Sequence, residues 1–377
     1  MSPDQPDVLE LFTELAALPS PPGEERVVAD RVTAYLRGLG VDVHEDDAGP
    51  RIGSDAGNLY ARLEPTGGGG TPLFFCAHLD TVPPEAAIEP VVEDGVVRNA
   101  AGTILGADNK AAVAVMLEAT RRLLAERRSH AGVELLFTPK EEVGLIGAAA
   151  FDHERFEARL GYVYDHAAPI GEVILGAPHS HALEMRFHGR AAHAGMYPEE
   201  GRSAIAAAAK TIADLELGRI DEESTANVGV ISGGTAGNIV PEWCTFLAEA
   251  RSHDPRKLAE IVERMLEVAA FAAGLEDCQL ETHVRKSYTG YRFRADEPVV
   301  QLARSALERT GREPTFTLGG GGADANVFNE RGLACLNLAN GMAEIHTPDE
   351  HIAVDDLEAM VDVTLALVDV ARAADAT

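Results

Sequence analysis

Five short segments gather histidine, aspartate and glutamate, four of them at the ends of predicted sheet strands. In His78-Leu-Asp80-Thr, straight after Leu73–Ala77, the polar residues stand at i and i+2, so in extended chain both side chains point the same way. A metal-bound imidazole usually donates its second ring N–H to a carboxylate or carbonyl, and Asp80 is placed for that. Gly106-Ala-Asp108-Asn-Lys opens a helical pattern, where a helix N-cap is the ordinary role for an aspartate. Thr138-Pro-Lys-Glu141-Glu142-Val-Gly follows the apolar run Val133–Phe137. Adjacent carboxylates there repel one another unless a cation is near or the loop is solvated. Asp165 in Tyr164-Asp-His166, and Glu344-Ile-His346-Thr-Pro-Asp-Glu350-His, complete the set.

Each piece alone has an ordinary structural explanation. Together they offer two histidines and three carboxylates for metal, with Asp80 and Glu141 left over. Nitrogen and oxygen donors without cysteine suit a catalytic zinc, manganese or cobalt site better than a structural zinc site. A shared carboxylate is the usual way to hold two ions about 3.5–4 Å apart, the geometry of two-metal hydrolysis.

The elements that must position these residues read as α/β. Val8, Leu11, Phe12 and Leu15, then Val28, Val32, Tyr35, Leu36 and Leu39, repeat at helical spacing, the second run stopped by Gly40. A strand is expected at Val41–His44, and Gly67–Gly70 reads as a flexible turn. Leu73–Ala77, Val133–Phe137 and Gly161–Tyr164 are apolar strand candidates, and Asn109–Glu126 is a helix between two of them. That alternation predicts a mixed, largely parallel sheet with ligand sites at strand ends. Past residue 178 the pattern becomes β-α-β-β-α-β, the order of a ferredoxin-like domain. Its strands fall at His181–His188, Asn227–Ser232, Thr245–Ser252 and Gln279–Arg285, with helices near Ser203–Leu217 and Pro255–Ala273. From about residue 295 the first texture returns. The division expected is therefore 1–178 and 290–377 as a catalytic domain, interrupted by an α+β domain at 179–289.

The chain has 377 residues, with 61 Asp+Glu against 32 Lys+Arg and a formal net charge of −29. That field repels phosphate backbones and anionic lipid, so neither nucleic acid nor a membrane surface is an expected partner. No run approaches the ~18 apolar residues of a membrane span. The N-terminus, Met1–Asp7, carries acids where a secretory signal carries base, so a cytoplasmic location is expected. Cys76, Cys244, Cys278 and Cys335 form no CxxC and read as free thiols.

The order Leu73-Phe-Phe-Cys-Ala-His-Leu-Asp-Thr-Val-Pro, Gly106-Ala-Asp-Asn-Lys, Glu141-Glu-Val-Gly, His346-Thr-Pro-Asp-Glu resembles the di-zinc exopeptidase and amidohydrolase family. That family includes peptidase T, glutamate carboxypeptidase, aminoacylase and the desuccinylase of lysine biosynthesis. The likeness spans essentially the whole chain and leans to the peptidase T-like branch, partly through Gly319-Gly-Gly-Gly-Ala-Asp-Ala-Asn-Val-Phe328. It implies two Zn2+ ions, with Mn2+ or Co2+ as substitutes: His78 and Asp165 on one, Glu142 and His346 on the other, Asp108 bridging. It implies Asp80 orienting His78 and Glu141 as general base. His193, in Gly189-Arg-Ala-Ala-His-Ala-Gly, matches the histidine that reaches a partner subunit's site and polarises the substrate carbonyl. Asn238 and Arg251 match substrate-contacting positions, while the glycine run at 319–322, with Gly320 and Gly321, is able to bring backbone N–H groups to a carboxylate or to serve simply as a loop. The resemblance further implies a homodimer whose inserted domain serves as lid and interface, acting on short peptides. Aspartate at position 165 goes with aminopeptidases or dipeptidases; a carboxypeptidase or N-acyl amino acid amidohydrolase is the alternative. A non-enzymatic metal-binding member is the remote one.

Overall fold

The computed structural model describes residues 6–374; Met1–Gln5, most of the acidic N-terminal segment, lies outside them. Contacts divide the chain into two compact units. One comprises the residues up to Gly176 and those from Arg292 onward, the other Ala177–Tyr291.

The first unit is a sheet covered by helices. Leu73–His78 and Val133–Thr138 are buried at every position, as strands with both faces covered must be. They pair in parallel, and Leu73–His78 pairs in parallel with Leu160–Val163 on its other side. Ala334–Leu338 extends the parallel run. Toward the edges the direction changes: Leu59–Leu63 and then Val43–Glu45 add antiparallel, and Ala334–Leu338 meets Glu172–Ala177 antiparallel. Thr315–Leu318 lies parallel to Glu172–Ala177.

Helix Val8–Ala16 turns Val8, Leu11, Phe12 and Leu15 inward, and Asp7 closes its first turn in a capping box with Glu10. Arg26–Gly38 buries Val28, Val32, Tyr35 and Leu36. The chain then turns through Gly40 at φ 80°, a backbone region open chiefly to glycine. The strand expected from Val41 starts instead at Val43. The Val41 N–H is engaged by the Leu36 carbonyl at 3.0 Å, closing the helix rather than joining the sheet. Helix Ala107–Ala125 buries an unbroken run from Ala107 to Thr120. Small alanines let it sit between the sheet, helix Val8–Ala16 and the last helix, Val354–Ala373.

The second unit has the ferredoxin-like order. Strand Trp243–Ser252 pairs antiparallel with Ser224–Gly233 and with His179–His188, and Gln279–Tyr288 pairs with the far side of His179–His188. An added strand, Gly218–Asp221, extends the sheet beside Ser224–Gly233. Helices Ala204–Asp214 and Pro255–Leu275 cover one face, where Leu183, Met185, Phe187, Phe246, Leu258 and Met265 form a separate core. No helix among the described residues is long and apolar enough to cross a membrane.

Candidate metal centre

Three neighbouring parallel strands deliver polar residues at the same, C-terminal edge of the sheet. Val133–Thr138 leads to Glu141 and Glu142, Leu73–His78 ends on His78 and leads to Asp80, and Leu160–Val163 leads to Asp165. Open α/β sheets place their ligands at this edge because the loops there diverge while the strands stay fixed. Asp108 enters from the first turn of helix Ala107–Ala125, whose N-cap is Gly106, so Asp108 does not serve as the cap. His346 enters from the loop after Ala334–Leu338 with a left-handed backbone, φ 63°.

These residues converge on Asp108. Its Oδ1 lies 3.1 Å from His78 Nε2 and its Oδ2 lies 3.2 Å from His346 Nε2. His346 Nε2 is also 3.0 Å from Glu142 Oε1. Two donor sets result: His78, Asp108 and Asp165, and Asp108, Glu142 and His346, each with ligand atoms within 4.8 Å of one another. Asp108 is 5% exposed and Glu141 8%.

A layer of buried groups holds the ligand loops by their backbones. His78 Nδ1 meets the Asp80 carbonyl oxygen at 2.8 Å, with the Asp80 carboxylate farther off at 3.5 Å. That carboxylate instead accepts the Glu141 and Glu142 N–H groups, at 2.9 and 3.1 Å. Asp80 thus orients the imidazole through its main chain and the two glutamates through its side chain. The neighbouring Lys140 N–H donates to Glu25 Oε1 at 3.2 Å. Asn337 accepts from the Asp165 N–H and donates to the Asp165 carbonyl. Asp324, 2% exposed, accepts from the Thr138 hydroxyl at 2.6 Å. Asp324 lies in the glycine-rich segment Gly319–Phe328, where the sequence assigns it no role; an acid between Ala323 and Ala325, after a glycine run, is the signal available.

The electrostatics are those of a site crowded with acids. Burial raises Glu141 well above the carboxylate range, and nearby Asp165 adds to it. Burial raises Asp165 likewise, with Asp108 adding repulsion. Burial pushes Asp324 up to about 6. Asp108 behaves oppositely: burial would raise it, but hydrogen bonds from His346 and His78 hold it low. Hydrogen bonds to Asp108 and Glu142 push His346 up to about 10. With protein groups alone, the cluster balances its charge only by protonating imidazoles and carboxylates. Divalent cations would satisfy the same donors in their ordinary states. Cys76 and Cys335 belong to neither donor set among the described residues. The donor set therefore fits a pair of such ions.

The remaining expected residues lie as follows. Gly320 and Gly321 occupy the loop between Thr315–Leu318 and helix Asp324–Glu330 in the first unit. In the second unit, His193 belongs to the two-residue strand Ala192–His193, paired with Ile239–Val240. Asn238 adjoins it, its carbonyl accepting the Ala194 N–H at 3.0 Å. His193 Nδ1 accepts the Gly195 and Met196 N–H groups, each at 3.2 Å. A neutral His193 therefore carries its proton on Nε2. Arg251 lies on Trp243–Ser252, half-buried, with Glu249 2.9 Å from its guanidinium.

Strand-end acids and imidazoles around a shared carboxylate, on a parallel sheet, form a candidate two-ion site of the kind hydrolases use. Residues 74–370 match Peptidase family M20/M25/M40, and the chain belongs to that family. Its sequence is 38% identical over 362 residues to protein YqjE of Bacillus subtilis, spanning 96% of this chain and 97% of that one. Its fold superimposes on aminopeptidase PepT from Bacillus cereus with a TM-score of 0.86 and 39% identity, covering 97% of this chain and 98% of that one. A tripeptidase from Staphylococcus aureus gives a TM-score of 0.91 at 33% identity, with the same coverage.

Proposed function

We propose that the protein is a two-metal aminopeptidase that releases the N-terminal residue of short peptides. The observation that carries this reading is Asp108, which turns one carboxylate oxygen toward each of two donor sets. His78 and Asp165 would complete one ion's ligands and Glu142 and His346 the other's, with Zn2+ the expected ion and Mn2+ or Co2+ able to replace it. When bound, such ions acidify water and polarise a carbonyl.

The chain's own residues do the rest. Glu141, held by the amide contact to Asp80 but not among the ligands, takes the proton of the attacking water and passes it to the leaving amine. Its burial favours the first of these duties, since a carboxylate whose pKa is raised is the stronger base toward water. His193 presents an Nε2–H donor suited to a developing oxyanion. Asn238, Arg251, Gly320 and Gly321 are assigned to substrate, the guanidinium matching a terminal carboxylate. The names of the PepT and tripeptidase neighbours support the amino-terminal direction. The reading extends to a homodimer joined through the second unit, a lid over the site, and residence in the cytoplasm.

The test is mass-spectrometric product analysis of one tripeptide, with a free and with an N-acetylated terminus, incubated with zinc-loaded protein. Release of the first residue from the free form alone is expected. Cleavage of the capped form would move the protein to the carboxypeptidase or N-acyl amidohydrolase side.

A further inference from the structure

Glu350 is 2% exposed and belongs to none of the donor sets. Its Oε2 accepts the N–H groups of Leu105 and Gly106 at 2.7 and 2.8 Å, and its Oε1 accepts the Asp108 N–H at 3.0 Å. These amides lie at the start of helix Ala107–Ala125, where first-turn N–H groups lack partners within the helix. The helix has no side-chain cap of its own, since Gly106 stands at the N-cap. A carboxylate from a distant segment accepts these amides instead, just ahead of the kink at Asp108 and Asn109, where the backbone is non-helical.

We propose that Glu350 is a positioning residue for the bridging ligand, setting the separation of Asp108 from His346 and so the joint affinity of both ion sites. This rests on the two-metal reading above. The physical basis is that one short segment acts at both ends of one contact. His346 meets Asp108 Oδ2 through its side chain, while Glu350, further along the same loop, holds the Asp108 main chain. The loop between is itself tied by the Glu350 N–H to the Thr347 carbonyl and the Thr347 hydroxyl to the Glu344 carbonyl. Asp108 has a non-helical backbone, φ −83° and ψ 103°, so the hydrogen bonds within the helix do not fix its direction. Glu350 stands to Asp108 as Asp80 stands to the two glutamates.

The test uses the full-length chain stripped of metal, with zinc titrated against a chromophoric chelator and the Co2+ absorption spectrum recorded in parallel. Glu350→Gln keeps shape but has one carbonyl oxygen, so an NH2 group must face either the Asp108 N–H or the Leu105 and Gly106 pair. The expected result is a loss of about 10–100-fold in zinc affinity at both sites and an altered Co2+ spectrum. Glu134→Gln is the comparison for a purely structural acid. Glu134 is also buried and accepts the Glu157 and Ala158 N–H groups, away from the site. It should lower the melting temperature and leave zinc affinity unchanged. Glu350→Asp, which keeps charge but loses reach, gives a smaller loss and serves if the Gln variant does not fold. Wild-type zinc affinity and Co2+ spectrum in the folded Glu350 variants would overturn the proposal alone. Wild-type protein that takes up neither ion would overturn the two-metal reading and this inference with it.

Discussion

Side chains in this site divide into those that face the reaction and those that hold the backbone of the first kind. The proposed function puts Glu141 in the first group, and on that reading Glu141→Gln should lower turnover by about 10²–10⁴-fold, the usual worth of a general base. Its metal content, read by elemental mass spectrometry, should stay at the wild-type value; loss of both ions would make Glu141 a ligand instead. His193→Ala should depress kcat by about 10²–10³-fold, as loss of an oxyanion donor does. Unchanged kcat in a folded, metal-loaded variant would remove that role. A third residue-scale prediction concerns pH. Burial depresses His153 from the ordinary imidazole value of 6.5 to about 4. Its Nε2 is buried with no hydrogen-bond partner among the described residues. The unfolded chain therefore takes up the proton first. The stability linked to His153 is fully present above about 6.5 and is lost as pH falls toward 4. His153→Phe, which keeps the edge contacts to Phe151 and Phe328, should flatten that part of the stability profile in urea titrations.

At the scale of elements, the site depends on how closely three strands and their loops approach. Gly161 pairs with Phe74 across Leu73–His78 and with Cys335 on the other side. A Cβ at Gly161 would lie far inside van der Waals contact of three atoms of the Phe74 ring. That ring cannot withdraw, because it stacks on Phe156 at 4.6 Å and meets the edge of Phe328 at 5.2 Å. Gly161→Ala should cost about 1–3 kcal/mol by overpacking, measured by chemical denaturation. It should also weaken metal binding, since the strand leads directly to Asp165. The element pattern was legible from composition: continuous apolar runs gave the buried strands, and helical spacing gave the long helices. Less legible were short pieces such as the hairpin Pro90–Glu93 and Val96–Asn99. Their residues are mostly exposed or half-exposed, so no burial pattern marks them.

For the whole molecule, the dominant quantity is the excess of 61 acids over 32 bases. Part of that excess is concentrated in one cluster of acids and imidazoles, and on the two-metal reading bound cations would add to stability. Removing bound metal with a chelator should therefore lower the melting temperature, and zinc should restore it. The gain in folding free energy is about 2.7 kcal/mol at a free ion concentration a hundredfold above Kd. A melting temperature indifferent to chelator and to zinc would show that the cluster balances its charge by protonation.

The sequence by itself determined which residues converge. His78, Glu142 and Asp165 follow apolar strand runs and Asp108 opens a helical pattern, while His346 was legible through its His-Thr-Pro-Asp-Glu motif; strand ends in a parallel sheet meet at one edge. The alternation of texture likewise marked an inserted ferredoxin-like segment. Tertiary structure decided how those residues are held. Asp80 reaches the Glu141 and Glu142 amides across 61 and 62 residues of chain. Glu350 reaches the Asp108 amide across 242. Such contacts leave no periodic trace, because a backbone N–H is present at almost every position and names no partner. Burial of Asp324 is similarly a property of its neighbours. A side chain's identity is local, but its hydrogen-bond partners depend on which distant backbone the fold brings beside it.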